Sequence, residues 1–240
     1  MDFVFEFFGE IIIGLLGDSI TSERVSKWVR CALASLLALP LAILFGIGVV
    51  KADSLGLKII DGIMVLFFLV LYAFLIIGIL RSGTLRLAKK EDLTEILKMY
   101  RSVIGKNGCN WSISYPNEAT LHEDFSTGNL YVLWRGSKMI GAGSVVPNNE
   151  LDDLDCWQYN KNAREIARIV IKPEYQSKGF GKHLVKKLCY KLNENGYNAV
   201  HLLASTENPH ALNLYRETKF YCKGECQRYD HTYYAFERKL

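Results

Sequence analysis

A glycine-rich turn between an apolar run and an amphipathic helix is the segment of this sequence best suited to chemistry. Within it, Gln176, Gly179 and Gly181 stand as Q-x-x-G-x-G shortly after Pro173. Because glycine has no side chain, backbone N–H groups can approach an anion at the positive end of the helix that follows. The pattern predicts a site for a phosphorylated cofactor, and a turn that only requires glycine for its geometry is the alternative.

The elements that position this turn alternate between strand and helix. The run before it is β-branched and ends at Pro173, which has no N–H with which to continue a strand's pairing. A helix is predicted from Lys182 to about Asn193, with Gly196 as its stop. The other predicted strands are 84–88, 130–134, 139–146, 199–204, 220–228 and 232–238, and the other predicted helices are 91–104, 117–125 and one that carries Tyr215. Together they predict an α/β fold, with a mixed sheet and helices on both faces.

Two segments resemble the GNAT-family N-acetyltransferases in sequence, order and spacing. They read P-E-Y-Q-S-K-G-F-G after the β-branched run and N-P-H-A-L-N-L-Y-R-E-T-K-F further on. The resemblance spans Thr84 to Leu240 and implies the acyl-CoA N-acyltransferase fold. It also implies direct transfer of acetyl from acetyl-CoA to a primary amine in a ternary complex. The family usually has glycine where this chain has Lys219, which disfavours a left-handed end to the Tyr-bearing helix.

The two residues that the resemblance implies for catalysis are Glu165 and Tyr215. Acyl transfer to an amine requires a neutral amine, a polarised thioester carbonyl and a protonated leaving thiolate. Glu165 matches the family's general base, and Tyr215 matches the tyrosine that protonates the cofactor sulfur. The alternatives are an ion pair of Glu165 with Arg164, Arg168 or a neighbouring strand, and a core aromatic role for Tyr215.

The same resemblance implies a set of residues that bind the cofactor. Pantetheine amides would pair with the backbone of Ile169, Val170 and Ile171, and the amide of Ile169 or Val170 would polarise the thioester oxygen. Asn208 matches the asparagine that bonds the pantetheine arm, and it also suits the N-cap of a helix. The residues expected around the diphosphate are Gln176, Ser177, Lys178, Gly179, Phe180, Gly181 and Lys182. Solvent exposure is the alternative for the two lysines.

The first third of the chain has the composition of a membrane anchor. Residues 31–50 and 62–80 are each about 20 residues without a charge, which is long enough to cross a bilayer as a helix. Buried core helices are the alternative, although these normally keep a polar face. Basic residues lie before the first span and after the second, so the positive-inside rule places the N-terminus and the catalytic domain in the cytoplasm.

The predicted domains are therefore residues 1–26, an N-terminal segment; 27–83, a two-span hairpin; and 84–240, an N-acetyltransferase domain. In the first of these, Asp2, Glu6 and Glu10 recur every fourth residue among apolar side chains. On a helix this spacing gives a narrow acidic stripe beside a broad apolar surface. Such a helix could lie at the membrane surface, or it could pack against the hairpin or a partner.

Composition also limits the classes of partner and ligand that we expect. The net charge of +4 is too weak to argue for nucleic acid, and the six cysteines have no C-x-x-C spacing. We expect neither a disulfide framework nor a metal site, and we expect surface or capping roles for His183, His201 and His210. An acidic segment at 148–159 favours a cationic amine acceptor, with a solvated loop as the alternative. Two other functions stay open, namely a non-catalytic acyl-CoA sensor and a membrane interaction module.

Overall fold

The structure, a computed structural model, describes residues 27–51, 54–81, 83–106, 108–148 and 151–240. They divide into two compact units, the second of which begins at Gly83. Each unit is described by itself below. The segment predicted at 1–26 lies outside the described residues.

In the part of the first unit that the structure describes, two apolar helices pack through small side chains. Helix α1 spans Lys27–Lys51 and α2 spans Leu55–Arg81. Buried alanines recur every fourth residue along α1, so they share one face and let the helices approach closely. The Ser35 hydroxyl also lies 2.9 Å from the Tyr72 hydroxyl, which joins the two helices by a hydrogen bond. The alanines of this stripe are Ala34, Ala38 and Ala42.

The other faces of both helices carry exposed apolar side chains. Leu36 is 66% exposed on α1 and Leu66 is 63% exposed on α2. By length and composition, both helices could cross a membrane over Cys31–Lys51 and Leu55–Ala73, and only 12% and 0% of these windows is buried. The second window begins earlier than the span predicted at 62–80. The core helix of a soluble protein has the opposite arrangement, because most of its apolar surface is covered.

A seven-stranded mixed sheet forms the centre of the second unit. The strands are β1 (Thr84–Leu87), β2 (Leu130–Arg135), β3 (Lys138–Val146), β4 (Ala163–Ile171), β5 (Ala199–Ser205), β6 (Tyr221–Arg228) and β7 (His231–Lys239). They occur along the sheet in the order β1-β2-β3-β4-β5-β7-β6. The β4–β5 pair is parallel and the other neighbouring strands are antiparallel. The mixed sheet predicted from the sequence is confirmed.

Helices cover both faces of this sheet. Helices α3 (Leu93–Val103) and α4 (Glu118–Ser126) contribute to one apolar cluster, and α5 (Phe180–Glu194) and α6 (Pro209–Glu217) to another. Adjacent strand residues belong to different clusters, as Val132 and Leu133 do on β2. Because successive side chains of a strand point to opposite faces, the two clusters lie on opposite sides of the sheet.

Several helix ends differ from the sequence prediction, and two of them have a clear local reason. Helix α5 begins at Phe180 rather than Lys182, because Gly179 with φ of 82° is its N-cap. Helix α6 ends with Lys219 in the left-handed region at φ of 66°, although lysine was disfavoured there. Backbone bonds from Lys219 N to Arg216 O (3.1 Å) and from Phe220 N to Tyr215 O (3.0 Å) form a Schellman motif. The Phe220 and Tyr215 rings also pack with centroids 5.8 Å apart, and these contacts offset the steric cost of about 1–2 kcal/mol.

Candidate active site

The sheet opens into a cavity where its two parallel strands separate. Strands β4 and β5 pair at three positions, the last of which joins Glu165 to His201. Beyond that pair lies a cavity of about 1040 Å³, lined by residues 165–171 of β4 and 203–205 of β5. This volume suits an organic substrate of considerable size. The separation also leaves a length of β4 facing the cavity instead of β5.

A β-bulge bends β4 at the cavity. Its register against β3 shifts so that Ala142 lies opposite Val170 while Ser144 lies opposite Ala167. Two residues of β4, Arg168 and Ile169, therefore face one residue of β3. Arg168 adopts a left-handed φ of 53°, which is unusual for a side chain of its size. A bulge of this kind re-aims the strand, so this one turns β4 where the cavity begins.

A buried ion pair holds the bulge. Arg168 Nε and Nη2 each lie 2.7 Å from one carboxylate oxygen of Asp124, a residue of α4. Ser144 Oγ donates to the same carboxylate at 2.5 Å, and Arg168 Nη1 donates to the Tyr115 hydroxyl at 3.0 Å. The side chains of Arg168 and Asp124 are only 11% and 4% exposed. Burial opposes the charge on Arg168, but its bonds to Asp124 outweigh burial and raise the pKa of the guanidinium.

Glu165 lines the cavity and is half-buried. Two arginines were considered as its partners, and both make other contacts. Arg168 is bonded to Asp124, while the Arg164 guanidinium lies 4.8 Å from the centre of the Tyr197 ring. Glu165 therefore lies in the cavity wall, and its role as a general base stays a prediction.

The two glycines of the turn are required for different structural reasons. Gly179 has φ of 82°, and a Cβ there would meet no atom within 4 Å. Gly181 instead makes room for α6, because a Cβ would fall 2.5 Å from Leu214 Cδ1. Both line the cavity together with Ser177. The N–H groups in the first turn of α5 have no intrahelical partners, so this end of the cavity can receive an anion.

Other predicted residues of the turn hold the local structure. Gln176 Nε2 donates to Ile171 O at 2.9 Å, and Lys182 forms an ion pair with Glu217 of α6. Lys178 Nζ donates to Glu174 O at 2.7 Å. Gln176 and Lys182 line the cavity, whereas the side chains of Lys178 and Phe180 do not. Phe180 is 9% exposed and belongs to the core, where only its backbone could reach a ligand.

Tyr215 and Asn208 reach the cavity from α6. Tyr215 is 8% exposed and packs against the Phe220 and Phe236 rings. Burial raises the pKa of its hydroxyl, so the group stays protonated at neutral pH. Asn208 is the N-cap of α6, and its Oδ1 accepts a hydrogen bond from Ala211 N at 3.0 Å. For both residues the structural alternative holds together with a position in the cavity wall.

A loop at residues 108–115 also lines the cavity, and sequence reasoning missed it. At one end Gly108 lies against the turn after β5, since a Cβ would fall 2.0 Å from Glu207 O. At the other end Tyr115 bonds Arg168 on β4. Arg101 Nη1 fixes the middle by donating to Ile113 O at 2.7 Å. The loop thus links the two separated strands, and Gly108 was the one sequence signal that could have indicated its close approach.

One other prediction for this region needs correction. His201 is fully buried rather than at the surface or at a cap, with its ring nitrogens 3.1 Å from Glu237 Oε1 and 3.0 Å from Asn148 Oδ1. Burial lowers its pKa, although the hydrogen bond to Glu237 opposes this shift.

The acidic segment fits the alternative of a solvated loop. Asp152 and Asp153 are exposed, Asp152 accepts a hydrogen bond from Asn148, and Asp153 pairs with Arg228. Neither carboxylate lines the cavity, and Glu150 lies outside the described residues.

Comparisons with known proteins agree with this geometry. Residues 91–220 match the acetyltransferase (GNAT) family. Over 119 residues the chain is 24% identical to the uncharacterized N-acetyltransferase YvbK of Bacillus subtilis (strain 168). The matched region covers 50% of this chain and 67% of that protein.

Solved structures show the same fold. A GNAT-family acetyltransferase from Streptococcus agalactiae 2603 matches with a TM-score of 0.58 and 15% identity, covering 66% of this chain and 95% of that one. A phosphinothricin acetyltransferase from Sinorhizobium meliloti matches with a TM-score of 0.53 and 22% identity, covering 66% and 89%. Since the family match extends over more than half of its residues, the chain belongs to the acetyltransferase (GNAT) family and is an acetyl-CoA-dependent acyltransferase.

Proposed function

We propose that the cavity between β4 and β5 binds acetyl-CoA beside a primary amine and that acetyl passes directly between them in a ternary complex. The observation that carries this proposal is the separation of the parallel strands next to the N-terminus of α5. In this reading residues 84–240 are the catalytic domain. The Sinorhizobium meliloti structure, which is described as a complex with AcCoA, supports the choice of ligand.

The residues of this chain fit the two parts of such a ligand. The edge of β4 at 169–171 faces the cavity, so its backbone can pair with amides of the pantetheine arm as another strand would. Asn208 would add a bond from its side-chain amide. The turn at 176–182 offers backbone N–H groups to the diphosphate, and Lys182 lies beside it in an ion pair with Glu217. Lys178 and Phe180 would contribute through their backbone.

Three groups of the chain then meet the needs of the reaction. Glu165 accepts a proton from the ammonium group of the acceptor, directly or through water, which leaves the amine neutral and nucleophilic. The backbone N–H of Ile169 or Val170 polarises the thioester oxygen as charge develops on it. Tyr215 donates its proton to the departing sulfur, and the raised pKa of its hydroxyl keeps that proton available until then.

The cofactor site is tested by a matched pair of glycine substitutions. Gly179 and Gly128 both have positive φ, at 82° and 70°, and both have open space where a Cβ would point. Each change to alanine should therefore cost similar stability, about 1 kcal/mol. Only Gly179→Ala should weaken acetyl-CoA binding, because its methyl group would occupy the space of the diphosphate. Calorimetry on the full chain measures this, and equal affinity in the two variants would refute the placement.

We also propose that α1 and α2 anchor the enzyme in a membrane, with the catalytic domain on the cytoplasmic side. Support comes from the exposed apolar faces of both helices and from the basic residues that flank them in the sequence. In a membrane, lipid would cover the exposed apolar faces of the two helices, which are unfavourable in contact with water.

Labelling with a membrane-impermeant maleimide tests the anchor and its orientation. Ser54 lies in the short link between the helices, and Cys222 is an exposed thiol of the second unit. In intact cells the reagent should label the variant Ser54→Cys, whereas Cys222 should react only after the cells are permeabilised. Labelling of Cys222 in intact cells would reverse the orientation, and extraction of the protein by alkaline carbonate would exclude the anchor.

A further inference from the structure

One wall of the cavity is aromatic. It is formed by the loop at 108–115 together with the start of β7 and the turn that precedes it. None of its residues belongs to the turn proposed for the diphosphate, so we assign this wall to the acceptor end of the cavity. The rings that line it are Trp111, Tyr115, Tyr229, His231 and Tyr233.

Two of these rings are held in place by neighbouring side chains. The Trp111 ring packs edge to face on Tyr100, with centroids 5.3 Å apart and an interplanar angle of 80°. The Tyr115 hydroxyl accepts the bond from Arg168, which is itself fixed by Asp124. Rings that are already ordered lose little freedom when a ligand binds, so they favour flat apolar ligands.

Charge at the cavity wall disfavours polyamines as acceptors. Among the residues that the structure describes, Glu165 and Glu217 are the carboxylates that line the cavity, and Glu217 lies beside Lys182 of the turn rather than beside the aromatic wall. The acceptor end also has two cations, Lys106 and Arg168. A polyamine carries several ammonium groups, which these two cations repel, and each group gains most from a carboxylate of its own. Glu165 alone can pair with one ammonium group, so an acceptor with a single ammonium group fits better.

We infer that the acceptor is a primary amine joined by a short chain to an aromatic ring. Its ring packs within the aromatic wall, and its single ammonium group faces Glu165. This inference rests on the proposed function, and it replaces the cationic acceptor suggested by the acidic segment, whose described carboxylates do not line the cavity.

The test compares three amines on the full chain in detergent, measuring CoA release. We use 2-phenylethylamine, n-hexylamine as an apolar amine without a ring, and spermidine. The value of kcat/KM should be about tenfold higher for 2-phenylethylamine than for n-hexylamine, which is the upper range for an aromatic contact, and higher still than for spermidine. Preference for spermidine, or equal use of the first two amines, would overturn the inference.

Variants of the loop locate the effect. Trp111→Ala and Tyr115→Ala should raise the KM for 2-phenylethylamine several-fold and leave acetyl-CoA affinity unchanged. Ile113→Ala is the matched control, because Ile113 is 77% exposed on the same loop and its side chain does not line the cavity. If acetyl-CoA binds but 2-phenylethylamine releases no CoA, only the inference on the acceptor fails. If acetyl-CoA does not bind, the proposed function fails with it.

Discussion

Tyr215→Phe is expected to lower kcat by about 10²- to 10⁴-fold, the range for loss of a positioned general acid. The substitution removes one oxygen and keeps the ring that packs on Phe220 and Phe236. Affinity for acetyl-CoA should therefore change little. Steady-state kinetics with calorimetric binding separates the two quantities, since a group that acts only in the transition state alters kcat without altering binding.

Tyr131→Phe provides a control for this experiment. Tyr131 is a partly buried tyrosine that packs on the same apolar cluster, and burial raises its pKa as well. Tyr131 does not line the cavity, so the kcat of Tyr131→Phe should equal that of the unmodified chain. If Tyr215→Phe kept the same kcat, Tyr215 would be a core aromatic and the thiolate would take its proton from elsewhere.

Glu165→Gln should differ from Tyr215→Phe in its dependence on pH. A general base is needed because the acceptor is mostly an ammonium ion at neutral pH. As the pH rises, a larger fraction of the amine is already neutral, so the deficit of Glu165→Gln should shrink. The deficit of Tyr215→Phe has no such reason to shrink. Profiles of kcat/KM against pH for both variants test the assignment, and a constant deficit for Glu165→Gln would contradict it.

The sequence predicted those parts of the site that depend on neighbours along the chain. The turn at 176–181 and the helix bearing Tyr215 carry their residues within short segments, and the structure places both at the cavity. The mixed sheet followed from the same local alternation. Lys219 shows the limit of this approach, because hydrogen bonds and ring contacts at the C-terminal end of α6 stabilise a conformation that lysine alone disfavours.

Contacts between distant segments could not be predicted. Arg168 and Asp124 are 44 positions apart, and no periodicity relates a helix residue to a strand residue across the sheet. An ion pair of Arg168 with Glu165 was one alternative that the sequence left open, whereas the structure pairs Arg168 with Asp124. His201 was misjudged for the same reason, since its partner Glu237 is 36 positions away on β7. The acceptor end of the cavity depends on such contacts, which explains why the sequence indicated the cofactor better than the acceptor.

Arg168→Gln is expected to cost about 3–5 kcal/mol of stability, the range for breaking a buried ion pair by removing one partner. Asp124 would keep the Ser144 hydroxyl as a donor but would lose both bonds to the guanidinium. The double variant with Asp124→Asn should recover part of this loss, because it removes the unpaired charge. Thermal unfolding of the full chain in detergent compares the three proteins.

A second bidentate pair in the same domain separates this structural cost from an effect on catalysis. Arg86 bonds Asp92 at 2.6 Å and 3.0 Å, and Asp92 keeps a backbone donor in Lys89 N, much as Asp124 keeps Ser144. The Arg86 side chain is 33% exposed against 11% for Arg168, so Arg86→Gln should destabilise the domain less. Neither residue of this pair lines the cavity. The substitution Arg86→Gln should therefore leave the KM of the acceptor unchanged.

Arg168→Gln, in contrast, releases both the bulge of β4 and the Tyr115 end of the loop at 108–115. The KM of the acceptor should therefore rise at temperatures well below unfolding. If Arg86→Gln and Arg168→Gln changed this KM equally, the ion pair at the bulge would serve stability alone. A rise confined to Arg168→Gln would mean that one buried pair sets the position of the strand facing the thioester and of the loop facing the amine.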